Sequence, residues 1–211
     1  FCSSFGYGPA SPDGSDVFLI PVDDRYLVEA CSDGGGALLE SLEGILLPAE
    51  AAALERAASV SRDLEARIGR RVEVAGLELN MARSFDDPYW LRLSLKCLNC
   101  GICTYVCPSC HCFDIHDICR AMDGERYRCW DSCMFKNFTL AAGGHNPRPT
   151  RKERVRQRFM HKLRYFKERY GMQLCTGCGR CIEKCPVGID ISRIIADIQS
   201  SAAAEEVSRS A

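Results

Sequence analysis

Two short stretches of the sequence repeat one pattern of cysteine side chains. Residues 97–108 read CLNCGICTYVCP, and residues 175–186 read CTGCGRCIEKCP. In both stretches a Gly follows the second cysteine and a Pro follows the fourth. Thiolates are ligands for soft metals, and several of them at short intervals can surround one compact inorganic centre. The spacing therefore predicts that this chain binds metal through sulfur.

The cysteine spacing is more specific than that of a general metal site. Both stretches fit Cys-x2-Cys-x2-Cys-x3-Cys-Pro, the run typical of bacterial 4Fe-4S ferredoxins, whose fourth cysteine ligates the other cluster. Three cysteines wrap one loop around three corners of a cubane, and glycine lets the backbone come close. We therefore predict two 4Fe-4S clusters. The first would be held by Cys97, Cys100, Cys103 and Cys185, and the second by Cys107, Cys175, Cys178 and Cys181.

Zinc is the competing interpretation of closely spaced cysteine pairs. A structural zinc site takes four ligands, commonly from two Cys-x2-Cys pairs. Such a site leaves the third cysteine and the Cys-Pro of each run without a role. The spacing therefore favours iron–sulfur clusters over zinc.

The sequence has 15 cysteines, more than the two runs use. Three of the surplus, Cys110, Cys112 and Cys133, flank the first run in the segments CPSCHC and RCWDSCMF. With Cys2 as a fourth ligand they would suffice for a third iron–sulfur cluster with a non-standard ligand set. The competing interpretation is that they are buried thiols packed near the cluster loops.

The distribution of cysteines also bears on the compartment. Disulfide frameworks suit short secreted chains, whereas this chain has 211 residues, is 46% hydrophobic and has an odd number of cysteines. No cysteine lies between Cys31 and Cys97. We therefore predict a reducing, cytoplasmic setting. Cys31 is expected to be a small core residue, and Cys119 a structural residue on a helix.

The elements before the cysteine runs predict a small α+β region over residues 1–80. Residues 17–20 and 26–29 are short strand candidates joined by a polar turn. Residues 48–69 predict a helix, because Pro opens the segment, Ala and Glu fill it and Gly ends it. Residues 72–79 are compatible with either a strand or a helix.

Helices are predicted to carry both cysteine runs in an α-helical ferredoxin domain over residues 81–200, followed by a polar tail at 201–211. A short helix over PYWLRLSLK leads into the first run. A further helix follows the second run, with Asp190 or Ser192 as its N-cap. The predicted fold class is therefore α+β, with the clusters in the helical part.

The long helix predicted between the runs is strongly basic. Ten Lys or Arg residues lie from Arg148 to Arg169, and the apolar stripe of Val155 and Phe159 also includes Lys162. Three interpretations are open: the helix offsets the negative charge of two clusters, it is a solvated face, or it docks a partner protein. Nucleic-acid binding is disfavoured, because no aromatic stacking module accompanies the helix and the formal net charge is −1.

Other function classes lack their sequence signatures. No apolar run approaches the roughly 18 residues of a membrane span. No Ser-His-Asp set, phosphate loop or pair of carboxylates indicates catalysis by this chain. Gly34-Gly35-Gly36 lacks the strand–GxGxxG–helix context of a dinucleotide site, so we interpret it as a loop.

Several longer segments carry a resemblance to a known family. RCWDSCMF, AGGHNPRPTRKERVRQRFMHKL and CTGCGRCIEKCPVGIDI resemble the 4Fe-4S dicluster subunit shared by several anaerobic redox complexes. The chain is similar to the beta subunit of soluble group 3 nickel–iron hydrogenases (sulfhydrogenases) and to the iron–sulfur subunit of anaerobic sulfite reductase. The first 40 residues, from FCSSFGYGPA to CSDGGGALLE, resemble the segment that those proteins carry before the clusters.

The resemblance implies a function in electron transfer. Such a subunit relays single electrons between a flavin subunit, which handles NAD(P)H with FAD, and a catalytic subunit, and it does no substrate chemistry. The eight cluster ligands carry over at the positions already assigned. Cysteines at the positions of Cys2, Cys110, Cys112 and Cys133 recur in the family, which favours a third cluster. Family members have a further N-terminal region, so we expect this sequence to be part of a longer protein.

Two other functions remain open at this point. A free ferredoxin-like carrier would use the same clusters but would leave the N-terminal region without a role. A cluster-based redox sensor would need a DNA-binding or effector-binding module, and the sequence contains no recognisable one. The sequence does not name the terminal electron donor or acceptor.

Overall fold

The computed structural model describes residues 1–210, with side chains as far as Ala202. It contains both helices and strands, which confirms the predicted α+β class. The chain divides into two compact units, Phe1–Arg71 and Val72–Ala211. This division falls before the boundary near residue 80 that the sequence predicts.

The first unit is built on an antiparallel hairpin. Strands β1 (Val17–Val22) and β2 (Arg25–Ala30) pair in register around a turn at Asp23, which has a positive φ of 55°. Helix α1 (Asp33–Ser41) follows β2, and helix α2 (Ala51–Ala66) packs on the hairpin. The two predicted strands and the predicted helix are thus confirmed, with their ends shifted by a few residues.

Two expectations for the first unit are wrong. The glycine triplet lies in α1 rather than in a loop, because the Ser32 side chain accepts a hydrogen bond from the Gly35 N–H (3.1 Å) and caps the helix. Gly35 is required there, since a Cβ would lie 1.8 Å from the Asp16 carbonyl oxygen. Cys31 is exposed rather than part of the core, because it follows the end of β2 in a two-stranded sheet.

The second unit begins with two short helices, α3 (Leu77–Arg83) and α4 (Tyr89–Lys96). The strand alternative for residues 72–79 is wrong, since α3 begins within that segment, whereas the helix expected over PYWLRLSLK is confirmed. Trp90 anchors α4: its side chain is fully buried, donates a hydrogen bond from Nε1 to the Ser84 carbonyl (2.6 Å) and stacks on Phe159.

A long basic helix crosses the second unit, as predicted. It comprises α6 (Arg151–Met160), a π-helical segment (His161–Tyr165) and α7 (Phe166–Tyr170) without a break. Thr150 and Glu153 form a capping box at its start, and Gly171 ends it in the left-handed conformation. This helix contacts both α3 and α4.

The segment between the first cysteine run and the long helix forms a hairpin. Strands β3 (Phe113–Arg120) and β4 (Asp123–Trp130) pair along their full length, and nearly all of their side chains are exposed. The helix expected around Cys119 is therefore wrong: this residue lies exposed on β3. The segment lacks a buried face that would show a clear alternation in the sequence.

Single helical turns follow the two cysteine loops, namely α5 (Ile102–Tyr105) and α8 (Arg180–Glu183). Helix α9 (Ile191–Ser210) begins after Asp190, whose side chain accepts a hydrogen bond from the Ser192 N–H (2.8 Å). The backbone is helical to Ser210, whereas the sequence predicts a polar tail from residue 201; the side chains of 203–211 lie outside the described part. No helix within the described residues is long and apolar enough to cross a membrane.

Candidate metal centre

Glycine sets the local geometry of both cysteine loops. Gly101 and Gly179 follow the second cysteine of their runs and have φ angles of +74° and +79°. This left-handed conformation turns the chain into α5 and α8, which carry the next cysteines. At Gly101 the space is also restricted, because a Cβ would lie 2.8 Å from the Phe135 ring.

A first cavity gathers cysteines from both runs. It encloses about 550 Å³ of space outside the atoms, part of it open to solvent, and apolar side chains form much of its wall. Backbone N–H groups of Asn99 and Ile189 donate hydrogen bonds to the sulfurs of Cys97 (3.4 Å) and Cys185 (3.2 Å). The cavity is lined by all four cysteines of the first predicted set: Cys97, Cys100, Cys103 and Cys185.

A second cavity, with about 300 Å³ of such space, contains the second predicted set. Cys107 reaches it from the first run, just as Cys185 reaches the first cavity from the second run. Cys181 lines both cavities. The cysteines lining this cavity are Cys107, Cys175, Cys178 and Cys181.

The donor atoms fit a 4Fe-4S cluster in each cavity. Each presents the thiols of its predicted set, and a cubane needs one thiolate for each of its four iron corners. Of the described residues that line the two cavities, none is Asp, Glu or His. Sulfur donors in an apolar wall are the environment that iron–sulfur clusters take.

Two cations of the long helix are buried beside the thiols. Arg158 and Lys162 are only 3% and 2% exposed and lie one helical turn apart. Lys162 Nζ donates hydrogen bonds to Cys107 Sγ (3.0 Å) and Ser109 Oγ (2.8 Å). Arg158 donates to the Cys103 carbonyl (2.8 Å) and to Cys110 Sγ (3.7 Å). A buried cation needs an anionic partner, so this face of the helix favours the charge-offset interpretation.

Burial keeps several of the thiols protonated. It raises the pKa of Cys103 and of Cys175 to about 11. The pKa of Cys107 is lowered instead, first by its hydrogen bond with Cys110 and then by the charge of Lys162. Because metal ligands bind as thiolates, loading the cavities must release protons from the buried thiols.

The surplus thiols near the first run are only partly brought together. Cys112 accepts hydrogen bonds from the side chain and backbone of Cys133, which lower the pKa of Cys112 to about 6. Cys110 is hydrogen-bonded to Cys107 and acts electrostatically on Cys133. Cys2 belongs to the first unit. Among the described residues, no group of three or more His, Cys, Asp or Glu side chains is arranged to hold a single metal ion.

Comparison with known proteins bears on this cysteine-lined region. Residues 96–189 match the 4Fe-4S dicluster domain family. The matched segment, which we call the dicluster segment, contains every cysteine that lines the two cavities. It also contains the β3–β4 hairpin, the long helix and three of the four cysteines predicted for a third cluster; Cys2 lies outside it. The dicluster segment is therefore an iron–sulfur region.

The similarity extends beyond the dicluster segment. The chain is 34% identical over 200 residues to sulfhydrogenase 2 subunit beta of Pyrococcus furiosus. The aligned region covers 94% of this chain and 59% of that relative. Together with the family match, this confirms the predicted resemblance to a dicluster subunit of the sulfhydrogenase type. No solved structure gives a significant match to the chain.

Proposed function

We propose that this chain is an iron–sulfur electron-transfer subunit of an anaerobic, cytoplasmic oxidoreductase complex. One observation carries the proposal: two cysteine-lined cavities lie side by side in the dicluster segment and share Cys181 and Arg158. Centres placed so close together permit electrons to pass between them. The chain itself does no substrate chemistry.

The thiols that line each cavity are the proposed ligands. The first cluster is assigned to Cys97, Cys100, Cys103 and Cys185, and the second to Cys107, Cys175, Cys178 and Cys181. When bound, each cluster supplies reversible storage of one electron. The protein holds the two centres at a fixed separation, surrounds them with apolar side chains and places buried cations beside their ligands.

The proposed partners are a flavoprotein subunit that handles NAD(P)H with FAD and a catalytic redox subunit of the hydrogenase or sulfite reductase type. The relative is named as a subunit, which supports assembly with other chains. A first unit of its own fold supports the same conclusion, because a small diffusing carrier would have no use for it.

Size-exclusion chromatography of native anaerobic extract distinguishes a complex-bound chain from a free carrier. We expect the protein to elute far above the 23.5 kDa of this chain, together with a flavin-containing polypeptide. The identity of the co-eluting proteins would name the donor and acceptor. Elution at its own mass, free of partners, would favour the free ferredoxin-like carrier.

A third iron–sulfur centre is proposed on Cys110, Cys112, Cys133 and Cys2. The hydrogen bond between Cys112 and Cys133 and the proximity of Cys110 support the first three positions, and the fourth rests on the sequence pattern. Iron analysis of the anaerobically purified protein tests it. About twelve irons per chain would support three cubanes, and about eight would restrict the chain to the two predicted first.

A further inference from the structure

Arg158 lies where the two cavities adjoin. Its side chain lines both of them, and it is the only cation that does so among the described residues. Lys162, one helical turn further along, lines the second cavity but not the first. The two buried cations of this helix therefore differ in how many centres they face.

The contacts of Arg158 all involve the cysteine segments. Its guanidinium donates to the Cys103 carbonyl (2.8 Å), in the first predicted ligand set, and to Cys110 Sγ (3.7 Å), in the proposed third set. Cys181, which lines both cavities, is a further electrostatic neighbour. Within the described residues, no carboxylate forms an ion pair with Arg158, although its side chain is buried.

A buried guanidinium without a carboxylate partner is costly unless other negative charge compensates it. The candidates here are the thiolates and whatever they bind, on both sides of the side chain. Arginine remains protonated under all ordinary conditions, so the charge is permanent. A fixed positive charge stabilises the more negative state of any neighbouring redox centre, and low solvent exposure prevents water from screening it.

We propose that Arg158 is a shared electrostatic residue that raises the reduction potentials of both clusters together, whereas Lys162 acts on the second alone. The inference rests on the proposed function, since it requires both cavities to hold clusters. The measured step is the addition of one electron to each centre, with no bond made or broken. By offsetting part of the added charge at each centre, Arg158 also reduces the repulsion between two reduced clusters.

Redox titration of the whole purified protein, followed by electron paramagnetic resonance (EPR) with mediators, tests this directly. In Arg158→Gln, both midpoint potentials are expected to move to more negative values. In Lys162→Gln, one of the two is expected to move and the other to stay. A shift of only one potential in Arg158→Gln, or of neither, would overturn the proposal.

Arg156→Gln is the matched control, because it removes a cation from the same helix. Arg156 stacks over the Phe85 ring (3.7 Å) and donates to the Phe85 carbonyl (3.0 Å), and it lines neither cavity. Its removal is expected to leave both potentials unchanged. Equal shifts in Arg156→Gln and Arg158→Gln would indicate a general effect of helix charge and would contradict a specific role.

Arg158→Lys separates charge from structure, should Arg158→Gln lose iron. Lysine keeps the positive charge but cannot reproduce the planar fork that contacts Cys103 and Cys110. A role through charge predicts that Arg158→Lys retains iron and stays near the potentials of the unchanged protein. Loss of iron or large shifts in this variant as well would make Arg158 a purely structural residue. Absence of cluster signals in the unchanged protein would instead defeat the proposed function.

Discussion

At the scale of single residues, chemically identical cysteines differ in what surrounds them. Cys185 lines the first cavity and accepts a hydrogen bond from the Ile189 N–H (3.2 Å), whereas Cys31 is exposed at the end of a hairpin. The first is placed as a ligand that donates its sulfur from the opposite run. The second has no such environment, although the two side chains are the same.

Replacement of Cys185 by Ser is expected to remove one cluster, because a hydroxyl is a much poorer ligand for iron than a thiolate. Iron content should fall by about four atoms per chain, as measured by iron and inorganic sulfide analysis. The exposed Cys31→Ser serves as the control and should keep the full content. Equal iron in both variants would contradict the assignment of Cys185.

The sequence was sufficient to predict the cysteine sets but not the cations beside them. The spacing of the two runs places Cys107 and Cys185 across from their own runs, and the structure finds them in those cavities. The basic helix showed only that cations were numerous. The presence of Lys162 on the apolar stripe was a usable signal, since a lysine there must either reach water or find a buried partner.

At the scale of elements, the loop glycines control whether each cysteine run can turn. Gly101→Ala and Gly179→Ala both place a side chain in the left-handed region, which costs about 1–2 kcal/mol. Gly101→Ala additionally forces the Phe135 ring to move, because the new Cβ would lie 2.8 Å from it. Gly179 has open space around it.

We therefore expect Gly101→Ala to destabilise the protein more than Gly179→Ala, by roughly a further 1 kcal/mol. Anaerobic denaturant unfolding of both variants, compared at equal cluster content, measures the difference. Equal destabilisation would mean that the Phe135 ring moves aside without cost.

The start of the long helix depends on its capping box. Thr150 accepts a hydrogen bond from the Lys152 N–H (3.2 Å), and Glu153 accepts one from the Thr150 N–H (2.9 Å). Thr150→Ala should lower the free energy of unfolding by about 1 kcal/mol, since it leaves helix N–H groups unpaired. Thr150→Ser keeps the hydroxyl and should be nearly neutral in the same unfolding assay; a loss in both variants alike would point to packing of the Thr methyl instead.

The elements that the sequence predicted correctly are those with a strong local signal. The hairpin β1–β2 has a polar turn between two apolar segments, and α2 begins after Pro48 and consists largely of Ala and Glu. The hairpin β3–β4 was not predicted, because it buries neither face and so carries no alternation of apolar and polar residues. For such a segment, strand pairing decides the structure, and pairing partners cannot be read from a local window.

At the scale of the whole molecule, an internal repeat determines the plan of the dicluster segment. Each run supplies three cysteines to one cavity and one to the other, so the two loops must lie together whatever the intervening chain does. The intervening helix then passes beside them and presents Arg158 and Lys162 to the same place. The similarity to the relative extends over most of this chain, and this chain spans 59% of that relative.

The central claim is that this region holds two 4Fe-4S clusters that exchange single electrons. EPR spectroscopy of the anaerobically purified protein, before and after chemical reduction, tests it most directly. The account predicts that reduction produces the signals of two reduced 4Fe-4S clusters, broadened by interaction between neighbouring centres. A reduced protein without any 4Fe-4S signal, or one that contains zinc in place of iron, would contradict it.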